Sequence, residues 1–169
     1  MDTQTANTAL DQITYGFYVL TAKKDAEELQ TMDKDWFSAG IVSWAMQSSF
    51  EPQMLTIALK RTNNLNETVQ KTRQFALHVL GQHEKELIQR FAEDTDKEGQ
   101  KLNGVRFEAS ELGNPILDCG VAYLECKVKQ VIESEGDHNL IIAEVVNQKI
   151  TKEDTQPLTE WQANSHYGG

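Results

Sequence analysis

The stretch VAYLECKVKQVIESEGDHNLIIAEVVNQKI, residues 121–150, reads as two long strands folded back on each other. In its first half one parity carries Ala122, Leu124, Cys126, Val128 and Ile132, and the other carries Glu125, Lys127 and Lys129. Alternation of this kind predicts one dry face and one wet face. EGDH, at 135–138, supplies the turn, and NLIIAEVVNQKI returns as the partner strand. A doubly wound parallel fold needs strands and helices in regular alternation, and that alternation is absent after residue 104. The reading is therefore mainly β: an antiparallel, closed or nearly closed barrel with a few short peripheral helices.

Working back toward the N-terminus, the same logic places further elements. ITYGFYVLTAKK (13–24) is aromatic and β-branched and predicts a strand. DAEELQTMDKD (25–35) is a polar connection. FSAGIVSWAMQSSFEPQ (37–53) supplies a second strand and QMLTIALK (53–60) a third, with Pro52 at their junction because it cannot donate to a central ladder. NLNETVQKTRQ (64–74) predicts a short helix capped by Asn64, with Leu65 and Val69 on one face. FALHVLG (75–81) is a strand, and HEKELIQRFAED (83–94) places Leu87, Ile88, Phe91 and Ala92 at helical spacing. TDKEGQKLNG is a polar loop leading to Val105 and Phe107. No repeat or Pro/Gly linker divides the chain, so the expected organisation is a flexible N-terminus over 1–12 and one domain over 13–169.

The 169 residues carry a formal net charge of -10 and a sequence pI near 4.8. That surplus of acid repels phosphate backbones and anionic lipid, which argues against nucleic acid and membrane partners. The first residues, MDTQTANTALDQ, lack the basic and apolar regions of a secretory signal, and no apolar run approaches membrane-spanning length. Cys119 and Cys126 form neither a disulfide framework nor a metal-ligand spacing, and a cytoplasmic setting is expected. The four histidines, at 78, 83, 138 and 166, are scattered, so no metal site is expected. No G-x-G-x-x-G, Walker loop or G-x-S-x-G occurs.

The residues that carry chemistry lie in SWAMQSS. Ser43, Ser48 and Ser49 offer hydroxyls, and a bend near Ala45–Gln47 would expose amides to a phosphate or a polar ring edge. Trp44 and Met46 share one parity and form an apolar wall for a flat ring. Lys60 and Arg61 stand just ahead of a helix N-terminus, a setting suited to an anion. The plainer alternative is a mixed-polarity strand with solvated serines and a basic turn. His138 faces either solvent or a cleft, with the solvated turn histidine the ordinary outcome. His78 reads as structural or surface, Cys126 as a small core residue, and His166 and Tyr167 as a tail or a flap.

In order and spacing, YGFYVLTA, SAGIVSWAMQSSFEPQMLTIALKR, FALHVLG, RFAED, GQKLNGVRF, GNPILDCGVAYLECKV, GDHNLIIAEVV and NSHYGG resemble the flavin reductase-like family. Members of that family fold as FMN-binding split barrels. The SWAMQSSFEP block is similar to the reductase modules of flavodiiron proteins and to flavoredoxin-type proteins. The resemblance implies that Ser43, Trp44, Ala45, Met46, Gln47 and Ser48 line FMN, that Lys60, Arg61 and Asn64 sit near its phosphate, and that Tyr167 approaches the ring. His138 matches the histidine of a family turn beside the nicotinamide and flavin site and takes the catalytic role. The implied activity is hydride transfer from NADH or NADPH to flavin by a homodimer. An FMN-binding electron carrier serving a redox partner protein, and a non-redox ligand-binding barrel, are the competing readings. Two departures stand out: Glu51 and Pro52 replace the family's paired prolines, and asparagines 63, 64 and 66 replace a serine/threonine cluster.

Overall fold

In the computed structural model, which describes residues 8–24 and 37–165, the hairpin of residues 121–150 is the longest pairing of the fold. Its strands are β10 (Ala122–Glu133) and β11 (His138–Ile150), and register shifts interrupt the ladder near Glu125 and Val128. The other strands are β1 (Tyr18–Lys23), β2 (Phe37–Val42), β3 (Ala45–Ser49), β4 (Met54–Lys60), β5 (Gln74–Val79), β6 (Lys97–Glu98), β7 (Lys101–Leu102), β8 (Val105–Ala109) and β9 (Pro115–Leu117). Helices α1 (Asn64–Thr72), α2 (Glu86–Ala92) and α3 (Glu160–Ala163), with a single 3-10 turn at Ala9–Gln12, complete the described elements. The polar connection expected over 25–35 and the expected site residue Tyr167 lie outside the described residues.

Seven strands form one antiparallel sheet in the order β2-β1-β5-β10-β11-β4-β3. Its two edge strands, β2 and β3, are consecutive in sequence and separated only by Ser43 and Trp44. Three peptide steps reach at most about 11 Å. A flat sheet of this order would hold its edges nearly 30 Å apart, at about 4.8 Å per strand. The sheet must therefore curl until its edges approach, and a covalent corner closes the barrel where a ladder would otherwise do so. The single strand expected over 37–53 is thus two strands, broken one residue before the bend predicted near Ala45.

The barrel interior holds Leu20, Val42, Leu55, Ile57, Leu77, Cys126 and Ile141, and α1 plugs it with Leu65 and Val69. Each such side chain contributes roughly 1.5–3 kcal/mol on burial. A second core lies outside β1 and β2. There Phe17, Val19 and Leu80 pack with Leu87 and Phe91 of α2, and with Leu102, Phe107 and Leu117 of a small sheet ordered β6-β7-β8-β9. β1 is consequently buried on both faces, so it reads as a nearly continuous apolar run.

Three local expectations are corrected. The polar loop over 95–104 contains the short strands β6 and β7. The cap of α1 is Asn63, whose side chain accepts a hydrogen bond from the Leu65 amide at 2.9 Å, and Asn64 is the first helical residue. Glu125, assigned to the wet face, is only 2% exposed. The small sheet covers that part of β10, and Ser110 Oγ, Asn114 Nδ2 and Asn147 Nδ2 donate to the Glu125 carboxylate at 2.5, 3.3 and 3.2 Å. His78 is fully buried and structural. Its Nδ1 donates to the Val19 carbonyl at 3.0 Å while Nε2 accepts from the Leu117 amide at 2.9 Å, which ties β9 to β1 and β5.

Candidate functional site

The corner that closes the barrel also opens a groove. Ala45 pairs with Ile57 and Met46 with Thr56, while the Ala58 amide donates to the Trp44 carbonyl at 2.9 Å. β4 in turn pairs with β11, setting Thr56 opposite Ile142, Ala58 opposite Leu140 and Lys60 opposite His138. Directly paired residues in an antiparallel sheet project to the same face. The rows Met46-Thr56-Ile142, Trp44-Ala58-Leu140 and Lys60-His138 therefore share the face that points away from the barrel core. The alternate residues Ala45, Ile57 and Ile141 pack inward.

Over this face lies a groove of about 730 Å³, walled by Ser43, Trp44, Ala45 and Met46 on one side and by Leu10, Ile13, Thr14 and Tyr15 on another. Its size falls within the usual range for small-molecule sites. The floor is apolar and the rim is not filled. Trp44 is 46% and Met46 62% exposed, an unusual density of bare apolar surface for neighbouring positions. Among the groove's lining residues Ser43 is fully buried, and its hydroxyl has no hydrogen-bond partner among the described residues. Buried polar atoms are nearly always paired, so this hydroxyl is a candidate partner for the polar edge of a ligand.

Beyond Trp44, outside the lining of the groove, stands His138. The imidazole is 4.8 Å from the indole, ring centre to ring centre, with planes 44° apart, and its Nδ1 contacts Asp137 Oδ1 at 2.7 Å. His138 is only 9% exposed, so it is no solvated turn residue. The hydrogen bond to His138, and then the charges of His138 and Lys60, hold the Asp137 carboxyl below its ordinary range.

The sequence-predicted residues divide into groups. Ser43, Trp44, Ala45 and Met46 wall the groove, whereas His138, outside its lining, contacts Trp44 and pairs with Lys60. Gln47 and Ser48 lie farther along β3 outside these walls. Gln47 Nε2 donates to the Ser49 carbonyl at 3.2 Å, and the Ser48 hydroxyl accepts from Thr56 Oγ1 at 2.8 Å. Arg61 reaches across to donate to the Ser134 carbonyl at 2.9 Å, and Asn64 is exposed at the start of α1. The sequence reading missed Thr14, Tyr15, Thr56, Ala58 and Leu140. The parity of β4 and β11 held the signal for the last three, once the register was known.

A larger and more polar cleft, about 1030 Å³, lies between the small sheet and the β10–β11 hairpin. Its deepest acid, Glu125, is already satisfied by the three donors named above. Among the described residues no cluster of His, Cys, Asp or Glu fits a metal ion, and both cysteines are free and buried. Burial pushes both thiols up to about 12, which leaves them inert. No helix among the described residues is long and apolar enough to cross a membrane.

The family described as "Flavin reductase like domain" matches residues 10–169. Diflavin flavoprotein A 1 of Synechocystis sp. is 29% identical over 149 residues, covering 85% of this chain and 24% of that protein. High molecular weight rubredoxin of Moorella thermoacetica is 29% identical over 161 residues, covering 94% of this chain and 64% of that protein. The chain thus spans about a quarter of the diflavin flavoproteins it matches. Among solved structures, Streptomyces globisporus C-1027 NADH:FAD oxidoreductase SgcE6, in complex with NAD and FAD fragments, superposes with a TM-score of 0.71 at 19% identity, covering 87% of this chain and 81% of that one.

Proposed function

The chain belongs to the flavin reductase-like family, and we propose on that footing that it is an FMN-binding oxidoreductase that takes hydride from NADH or NADPH. The observation that carries this reading is the orphaned Ser43 hydroxyl beside an exposed indole and near an exposed thioether, all three residues lining a groove of about 730 Å³. A flat ring with one apolar face and one polar edge has the complementary shape. The flavin, when bound, supplies the hydride-accepting ring, and the protein supplies alignment and electrostatics.

Each residue then has a physical task. Trp44, Met46 and Leu140 give the ring an apolar bed and exclude water from it. Ser43 and the backbone at the β2–β3 corner engage its polar edge. Lys60 and Arg61, with the N-terminus of α1, give a phosphate a positive setting in an otherwise acidic protein. Gln47, Ser48 and Asn64, outside the groove walls, would meet the periphery of the cofactor, and Tyr167 would approach the ring. His138 meets the nicotinamide at the Trp44 end and orients it or exchanges a proton there.

A homodimer belongs to this proposal. The face bearing Trp44, Met46, Leu140 and Ile142 leaves three large apolar side chains at least 37% exposed in a single chain, and a second copy would cover them. A cytoplasmic setting fits the same picture. A second reading is favoured by the length of the relatives: the domain corresponds to a quarter of the diflavin flavoproteins, so it would pass electrons to a protein partner. Anaerobic titration separates the readings. Stoichiometric binding of FMN followed by rapid bleaching with NADH or NADPH supports the reductase. FMN binding with bleaching only by a reduced protein supports the carrier, and failure to bind FMN overturns both.

A further inference from the structure

The turn that carries His138 is held more firmly than an exposed hairpin turn requires. Ser134 Oγ donates to the His138 carbonyl at 2.6 Å and accepts from the Gly136 amide at 3.2 Å. The Arg61 amide donates to the Asp137 carbonyl at 3.0 Å, and the Arg61 guanidinium donates to the Ser134 carbonyl at 2.9 Å. These bonds anchor the backbone on both sides of Asp137. Its carboxylate is thereby brought to 2.7 Å from His138 Nδ1, while the indole of Trp44 covers the imidazole.

We propose that Asp137 is a positioning residue, whose carboxylate keeps the proton of neutral His138 on Nδ1 and fixes the plane of the ring against Trp44. The proposal rests on the functional reading above and adds a residue to it. In a neutral imidazole one nitrogen donates and the other accepts, and the partner of one sets the role of the other. With Nδ1 committed as donor to Asp137, neutral His138 meets a bound nicotinamide with Nε2 as an acceptor. Protonated His138 meets it with Nε2 as a donor.

An exposed histidine–carboxylate contact ordinarily contributes little, because solvent competes for both partners. Here the Asp137 side chain is 82% exposed but that of His138 only 10%, so water competes chiefly on the carboxylate side. Among the described residues, charged groups near the ring come from β4 and from the turn. Lys60 faces it from β4, Arg61 follows on the same segment, and Glu133 and Glu135 belong to the turn region itself. Lys60 and Arg61 do not compete for Nδ1, since a cation cannot accept its proton.

The test uses the full chain with ¹⁵N-labelled histidine, wild type and the variants Asp137→Ala and Asp137→Asn, with His138→Gln for assignment. In long-range ¹H–¹⁵N spectra at alkaline pH, wild-type His138 should carry its proton on Nδ1. Asp137→Ala should move it to Nε2, and Asp137→Asn, which keeps a carbonyl acceptor, should largely retain the wild-type form. In stopped-flow reduction of bound FMN by NADH, Asp137→Ala should slow the step roughly tenfold while FMN affinity stays within twofold, and Asp137→Asn should recover part of the loss. An identical tautomer in wild type and Asp137→Ala overturns the proposal, as does an unchanged rate. If wild type itself fails to oxidise NADH or NADPH, the functional reading falls, and the tautomer still decides the pairing.

Discussion

Replacing Ser43 with alanine should move stability and flavin affinity in opposite directions. The Ser43 hydroxyl is fully buried and has no partner among the described residues. An unsatisfied buried hydroxyl costs about 1–3 kcal/mol. Removing it leaves a methyl group in an apolar wall, so flavin-free Ser43→Ala should gain about 1 kcal/mol. For a domain of this size that corresponds to a rise of about 2–4 °C in Tm. If the hydroxyl pairs with FMN as proposed, its loss should weaken FMN binding about tenfold, or 1.4 kcal/mol. Thermal unfolding of flavin-stripped protein and a fluorescence titration with FMN measure the two effects on the same samples. A lower Tm together with unchanged FMN affinity would refute the reasoning, because the hydroxyl would then serve the fold and not the ligand.

The remaining predictions concern what holds the site in place. Burial pushes His78 down to about 4 from an ordinary 6.5. The unfolded chain therefore takes up the proton first, and the neutral ring's contribution, complete above about pH 6.5, should fall by roughly 3 kcal/mol as pH drops toward 4. Urea unfolding at neutral and acid pH should show this slope, and His78→Gln should flatten it; equal slopes would count against the assignment. Gly120 has φ +82° and a Cβ there would stand 2.6 Å from the Val79 carbonyl oxygen, so Gly120→Ala should cost about 2 kcal/mol or more in chemical denaturation. A cost below about 0.5 kcal/mol would show that the backbone relaxes freely. Asn63→Ala should lose about 1 kcal/mol with the α1 cap, whereas Asn64→Ala should be nearly neutral, and the reverse order would restore Asn64 as the cap.

Much of the fold was legible where its elements are one-sided. The parity of residues 121–150 located β10 and β11, and the apolar spacing of Leu65, Val69, Leu87 and Phe91 located α1 and α2. What escaped was set by tertiary partners. Glu125 sits on the polar parity of β10, but the small sheet that buries it arises from residues 97–117, whose short strands carry too few residues for a pattern. The division of residues 37–53 into β2 and β3 was hidden for another reason. Ser43 and Trp44 continue the local alternation, and only barrel closure forces them to turn. At the site, a bend and a wall of Trp44 and Met46 were readable from residue type, and the family resemblance placed the cofactor there. The burial of His138 and its contact with Trp44 depended on the β4–β11 register, which no local spacing encodes.

The account turns on one place, the groove over Ser43–Met46, being where flavin sits. A crystal structure grown with FMN tests this most directly. The flavin ring should lie on Trp44 and Met46, with the Ser43 hydroxyl bonded to its polar edge and its phosphate toward Lys60 and Arg61. Flavin found instead in the cleft between the small sheet and the β10–β11 hairpin, with Ser43 still unpaired, would contradict it.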